Sequence, residues 1–437
     1  MDTLSKKNDF DKMFHDFIDS IMSTNSDDFN SMTTLIKNNM MLIGSKLFEE
    51  WILLKIGTGK KANTFFKNST DNKSHIKYRF KGYHEKIHLS ILGEIKIKKA
   101  YYSGNELKSG YYPIEEDYPV LKDYCLPDVK EFICFSSCLN PYELTKDVIS
   151  KLSNIKISTA EIQKVTKNVG DKLIEIDDEA INNPIIETES SKKIDKMVIS
   201  MDGAMINTHN DWKEVKSGVI YEIKGKDSNL VSLNKSYVSK IEDSASFGKR
   251  IKSEARRRHY LKAKEHIVIG DGAVWIWNLA DKEFPFSIKI VDWYHAKEHL
   301  HKIADLLFEK NADMKKKFEI ECSDYLYKGK IKMIEDLLNR KKIELNIVEP
   351  NILSALRTEM EYFLKNRDRM QYQEFELKKY PIGSGVMEAT CKQLVQLRLK
   401  RNGMIWNNDG AHCILIMRCL YLSNRWGEVK EVCQNAA

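Results

Sequence analysis

Two short apolar runs, each stopped by an aspartate, constrain this chain more than any other feature. They lie in HIVIGDGAVWIWNLADKEFPFSIKIVDWYHAKEHL, residues 266–300. Residues 266–270 are rich in isoleucine and valine and end at Asp271-Gly272; residues 287–291 repeat the pattern and end at Asp292. β-Branched runs of this length, punctuated by Asp or Gly, predict strands covered on both faces. A carboxylate at the carboxyl end of such a strand stands on a rigid element, at the rim where open α/β sheets bind ligands.

A chain of 437 residues is expected to form more than one domain with a sizeable core. Charged residues make up 30% and hydrophobic ones 42%, as in ordinary soluble proteins. The net charge of +7 permits a polyanionic partner without requiring one. The eight cysteines (125, 134, 138, 322, 391, 413, 419 and 433) include no C-x-x-C pair. Neither a metal knuckle nor a disulfide framework is supported, and reduced thiols in the cytosol are expected. No apolar run approaches a membrane span, and MDTLSKKNDF does not read as a signal peptide. A soluble cytoplasmic protein is therefore expected, with no membrane partner.

Along the chain, residues 1–55 carry apolar positions three and four apart and predict helix. Residues 56–76 are polar and read as a linker, so 1–76 is taken as a helical region plus linker. Period two from Ile87 to Ile97, across Leu92-Gly93-Glu94, predicts a β-hairpin. PYELTKDVISKLSN predicts a helix ending at Asn154, and Ser158 with Glu161 predicts a capping box opening the next. The pair forms a helix-turn-helix candidate, in which Gln163, Lys164 and Lys167 could face a DNA groove; an ordinary αα-hairpin fits equally well. Residues 77–190 are thus a β-hairpin plus helix-turn-helix-like DNA-binding region, closed by a polar boundary from Asn182 to Lys193.

Residues 197–201 predict a strand ending at Asp202-Gly203, with strands at 217–223 and 231–238 after it. A helix is expected over 244–264, carrying Lys249, Arg250, Arg256, Arg257 and Arg258 among its basic residues. With the two opening strands, the order over 195–292 is β-β-β-α-β-α-β. Residues 296–380 then read as several helices, an all-helical insertion, before Pro381-Ile382-Gly383-Ser384-Gly385 resets the chain. Residues 381–437 supply closing helices, one carrying Glu388 and one over 411–422.

Asp202, Asp271 and Glu388 form the candidate site: two acids on strand ends and one in the first turn of a helix. Three converging carboxylates repel one another and are hard to keep ionised. Two Mg²⁺ (or Mn²⁺) ions relieve that repulsion, and about 3.5–4 Å apart they can hold the attacking and leaving oxygens of an in-line phosphoryl transfer. Each acid has a plainer reading: Asp202-Gly203 as a hairpin turn, Asp271 as a helix cap, Glu388 as the ion-pair partner of Lys392. Asp292 competes with Asp271 for the second position and also reads as a helix N-cap. His295, His299 and His301 lack the intervening acid of a metalloprotease motif, so His295 is read as a partner at the site edge.

At these residues the sequence resembles DDE transposases of bacterial insertion sequences, in the Mutator-like branch that includes the ISLre and ISKra groups. The stretches that carry it are SMDGAM, GDGAVWIW, VDWYHAKEHL, YPIGSGVMEATCKQLVQLRLKRNGMIW and GAHCILIMRCLYLSNRW, in order over residues 195–426. The resemblance implies an α/β, ribonuclease-H-like catalytic domain (191–295 and 381–437) interrupted by an all-helical insertion, behind an N-terminal α+β DNA-binding region. It implies Asp202, Asp271 and Glu388 as the catalytic, metal-holding acids, with Asp292 and His295 nearby as part of a C/D-x-x-H signature. Lys392, Arg398, Lys400, Arg401 and the basic 249–264 segment would line a path for double-stranded DNA, both terminal inverted repeats and target. A homodimer or larger oligomer at the bacterial nucleoid is expected by analogy. Relatives often carry a cysteine-rich knuckle near the hairpin; GYHEKIHLSILGEIKIKKAYYSG has no cysteine. The rivals are a nuclease of the same fold that cuts without joining, and an inactive, domesticated DNA-binding protein.

Overall fold

The computed structural model describes residues 3–24, 28–68, 75–104, 110–153, 155–183, 193–225, 230–309 and 311–435. The chain divides into two compact units, residues 1–172 with 427–437, and residues 173–426. Among the described residues no helix is long and apolar enough to cross a membrane, and all eight cysteines are buried free thiols.

The first unit opens with helices α1 (Thr3–Met22) and α2 (Phe29–Lys55), the latter capped by Asp28, whose carboxylate accepts from the Asn30 and Ser31 amides. A three-stranded antiparallel sheet follows, β1 (Thr64–Asn68), β2 (His75–Ser90) and β3 (Gly93–Gly104). The expected hairpin is present but far longer, and its turn is Ile91-Leu92, with Gly93 at φ +109°. The linker expected over 56–76 contains β1. Two phenylalanines outweigh the polar surroundings there: Phe65 pairs with Tyr78 across the strands and stacks on its ring at 5.1 Å. The rest of that stretch, 69–74, lies outside the described residues.

Side chains alternate across β3. Ile95 and Ile97 pack with Ile52 of α2 and with Ile114, Leu121 and Leu126. Ala100 and Tyr102 take the other face with Tyr78, Phe65, Phe80 and Tyr111. Short α3 (Ile114–Asp117), α4 (Pro127–Leu139), α5 (Tyr142–Ser153) and α6 (Thr159–Asn182) continue the chain. Ser158 Oγ accepts from the Glu161 amide at 3.1 Å, the first half of the expected capping box. Asn154 and most of the polar boundary, 184–192, lie outside the described residues.

The second unit is built on a five-stranded mixed sheet of order β6-β5-β4-β7-β8. Its strands are β4 (Ile194–Asn207), β5 (Trp212–Lys224), β6 (Val231–Lys240), β7 (Ala263–Gly270) and β8 (Ile288–Val291). β4, β5 and β6 form an antiparallel meander, whereas β7 and β8 run parallel to β4. Helix α7 (Ser244–Arg257) precedes β7, and α8 (Val274–Glu283) joins β7 to β8. The element order over this span is the one read from the sequence.

Two boundaries differ. β4 does not stop at Asp202-Gly203, because Asp202 pairs with Ser217 and the ladder runs on to Asn207 opposite Trp212; the turn is 208–211. α7 ends at Arg257 rather than near Lys264, because His259 takes a left-handed φ of +62° that reverses the chain into β7.

Helices α9 (Trp293–Phe308), α10 (Ala312–Tyr327), α11 (Ile331–Glu344), α12 (Pro350–Asn366) and α13 (Tyr372–Leu377) fill the long helical stretch. α14 (Gly385–Cys391) then passes through a π turn (Lys392–Gln396) into α15 (Leu397–Leu399). α16 (Asn408–Leu422) packs on β6, and the chain ends in α17 (Trp426–Asn435), whose residues from 427 group with the first unit rather than with the sheet.

Candidate functional site

The last paired residues of parallel β4 and β7 at their carboxyl ends are Ser200 and Ile269. Asp202 and Asp271 each stand two residues beyond, so the register sets them at matching positions on adjacent strands. Asp202 is half-buried on a strand that continues; Asp271 is half-buried just past a strand that has ended. Asp271 Oδ1 accepts from the Ala273 amide at 2.8 Å, a local turn that Gly272 completes at φ +107°.

Burial pushes the Asp202 carboxyl above its ordinary pKa, and the charge of Asp271 pushes it the same way. The Gly203 amide (2.7 Å), the Cys391 thiol and the nearby His295 act in the opposite direction. Cys391 Sγ donates to Asp202 Oδ2 at 3.4 Å, and burial beside that carboxyl pushes the thiol pKa up. Through this contact α14, which packs on β4 and β5, is held against Asp202.

Glu388 lies three residues before Cys391, on the same side of α14 and one turn nearer its start. Its side chain is exposed. Asp202 and Asp271 are brought together, but no group of three His, Cys, Asp or Glu among the described residues is close enough to hold a metal ion. In donor chemistry the aspartate pair suits a hard divalent cation: both ligands are carboxylate oxygens, and a cation would favour the ionised Asp202 that burial, and then the Asp271 charge, disfavour.

Asp292 is fully buried and caps α9 through the His295 amide at 2.8 Å. Its other oxygen accepts from the Ser384 amide. Its own amide donates to Gly270 O (2.8 Å), and that of Trp293 to Ile382 O (2.8 Å). Asp292 therefore fastens the chain leading into α14 to the end of β7, a positioning role beyond the N-cap read from sequence. His295, His299 and His301 do not converge: they pair separately with Glu298 (3.4 Å), Glu359 (2.5 Å) and Glu319 (2.8 Å).

Sequence reasoning missed two contributors. Cys391 carried no signal except its helical spacing from Glu388. Tyr362 of α12 donates its hydroxyl to Asp271 O at 2.8 Å and lies where a Cβ on Gly272 would sit, 2.5 Å from the ring. No pattern links two positions 91 residues apart.

The basic residues divide sharply. Arg250 is buried and bonded to Glu242 (2.8 Å), Asp178 (2.8 Å) and Asp177, which corrects its expected place on a DNA path. Arg398 is corrected likewise: 1% exposed, it lies over the Trp406 ring at 4.9 Å. Arg257 pairs with Glu254 (3.2 Å), and Arg258 donates to Asn234 O at 2.7 Å. Lys249, Lys392, Lys400 and Arg401 are exposed and Arg256 is half-buried. Gln163, Lys164 and Lys167 are exposed on α6, the lysines beside Glu161 (3.5 Å) and Asp171 (2.5 Å).

In comparisons with known proteins, neither a family model nor a curated protein matches the chain.

Proposed function

We propose that this chain is a DDE transposase with a ribonuclease-H-like catalytic domain, in which helices α9–α13 form an insertion between the parallel strands and α14. The reading rests on the register of β4 and β7. It sets Asp202 and Asp271 at matching positions, where burial and mutual repulsion already raise the Asp202 pKa. The mixed sheet with its antiparallel meander and the conjunction of SMDGAM, GDGAVWIW and GSGVMEA in chain order support it further.

Asp202 and Asp271 would hold Mg²⁺ or Mn²⁺, with Glu388 of α14 completing the set; the ions would neutralise charge on the phosphate under attack. Asp292 positions the chain that delivers α14, and His295 stands at the edge of the pair. Exposed Lys249, Lys392, Lys400 and Arg401, with Arg256, would meet DNA phosphates. Double-stranded transposon ends and target DNA are the substrates, handled by at least two copies of the chain.

The test uses duplexes copied from the DNA flanking the coding region. Wild-type protein should nick them and join pre-cut ends to a plasmid in Mg²⁺ or Mn²⁺, and Asp271→Asn should abolish both while keeping duplex binding. Cleavage that survives Asp271→Asn would refute the assignment. Cutting without joined product would make the chain a nuclease, and binding without cutting an inactive DNA-binding protein.

A further inference from the structure

Positive charge is concentrated in one small part of the first unit. Residues 58–104 hold eleven Lys or Arg and three Asp or Glu, a surplus of eight, against seven for all 437 residues. The remainder of the chain is therefore close to neutral.

Of these cations, Lys86, paired with Ile97, and Lys99 lie on the sheet face that carries Ile95 and Ile97, whereas Lys60 lies beside Phe80 on the other. Lys96 and Lys98 alternate with the buried Ile95 and Ile97 and so share that other face, about 6.7 Å apart along the strand. Tyr83, paired across the ladder with Ala100, joins them. The Lys98 ammonium lies 4.7 Å from the Tyr83 ring; that of Lys60 lies 4.7 Å from Phe80 and 6.0 Å from Tyr83. Lys96 is 55% exposed and pairs with Glu85 at 3.6 Å, Glu85 stands opposite Lys98 across the ladder, and Tyr83 is 41% exposed.

We infer that this face binds single-stranded nucleic acid, with Lys60, Lys96 and Lys98 on the phosphates and Tyr83 stacked on an unpaired base. The pairing of cation and exposed ring selects the partner. An acidic protein would satisfy the lysines but leave the rings idle, and an anionic bilayer calls for a broader apolar tip. In a duplex the base faces are already stacked. An unpaired strand presents phosphates at a spacing close to that of the lysines and bare π-faces between them.

The inference goes beyond the transposase reading and is tested without catalysis. Fluorescence anisotropy on the full chain, with labelled oligothymidine as probe, should show binding that weakens steeply with salt. Lys60→Ala with Lys98→Ala should lower affinity about tenfold or more and flatten the salt dependence by about 1.4 in log–log slope, at about 0.7 per phosphate contact. Tyr83→Ala should cost about fivefold or more and Tyr83→Phe almost nothing, because only the first removes the ring. Far-UV circular dichroism should be unchanged, since these side chains lie at the surface. No salt-dependent binding, indifference to these variants, or an equal loss of duplex or of phosphatidylserine-vesicle binding in the same variants would overturn the inference. Cleavage is scored on duplex ends and this surface on oligothymidine anisotropy in metal-free buffer, so failure of cleavage and failure of this surface are read separately.

Discussion

The carboxyl of Asp202 holds its proton more tightly in the folded chain than in the unfolded one, because burial and the charge of Asp271 both disfavour ionisation. Its contribution is therefore most favourable below the ordinary aspartate pKa of 3.8, and is lost as pH rises through the elevated folded value. Asp202→Asn should remove this loss. Its melting temperature at pH 7 should exceed that of wild type by a few degrees in metal-free buffer, while the difference narrows toward pH 3. An unchanged or lower melting temperature at pH 7 would contradict the burial argument. At this scale the sequence was legible where chemistry and local pattern coincide: two β-branched runs set Asp202 and Asp271 at matching positions, and Asp292 is the N-cap read from sequence. Cys391 and Tyr362 were not legible, because their roles arise from contacts between distant segments. Nor could sequence show that Arg250 and Arg398 turn inward, since a basic run records charge and not direction.

At the scale of elements, the strands of the second unit were the most readable part, since a run buried on both faces leaves a continuous apolar signal. β1 was missed because five residues in polar surroundings carry too little pattern; its reason for existing is the aromatic partner across the ladder. The length of α7 was misjudged because good helix formers continue past Arg257, and the tertiary requirement to turn into β7 overrides them. α7 also carries a sharp energetic prediction. Arg250→Ala leaves Glu242, Asp177 and Asp178 around an empty buried position and should destabilise the second unit by about 3–5 kcal/mol in urea unfolding. Arg256→Ala, on the same helix with a half-exposed side chain, should stay within about 0.5 kcal/mol of wild type. The π turn after Cys391 adds one residue to the helical phase, roughly 100°. That turn helps set the exposed Glu388 and the buried Arg398 on opposite sides of one continuous rod.

Over the whole molecule, the general α/β character followed from the alternation of periods along the chain, whereas the division into units did not. The return of residues 427–437 to the first unit has no local signature, because it depends on packing rather than on composition. The mixed sheet has a consequence in time. β4, β5 and β6 are consecutive and close through short connections, so their ladder forms at low cost in chain entropy; β7 and β8 must wait for crossover helices. Pulsed hydrogen exchange during refolding should therefore protect the amides of the meander before those of the parallel pair, and the reverse order would count against this. On a chain emerging from the ribosome, the first acid would stand in a finished hairpin while the second was still being synthesised. The electrostatic tension between them would be met only at the last docking step, when a counter-ion from solution could ease closure.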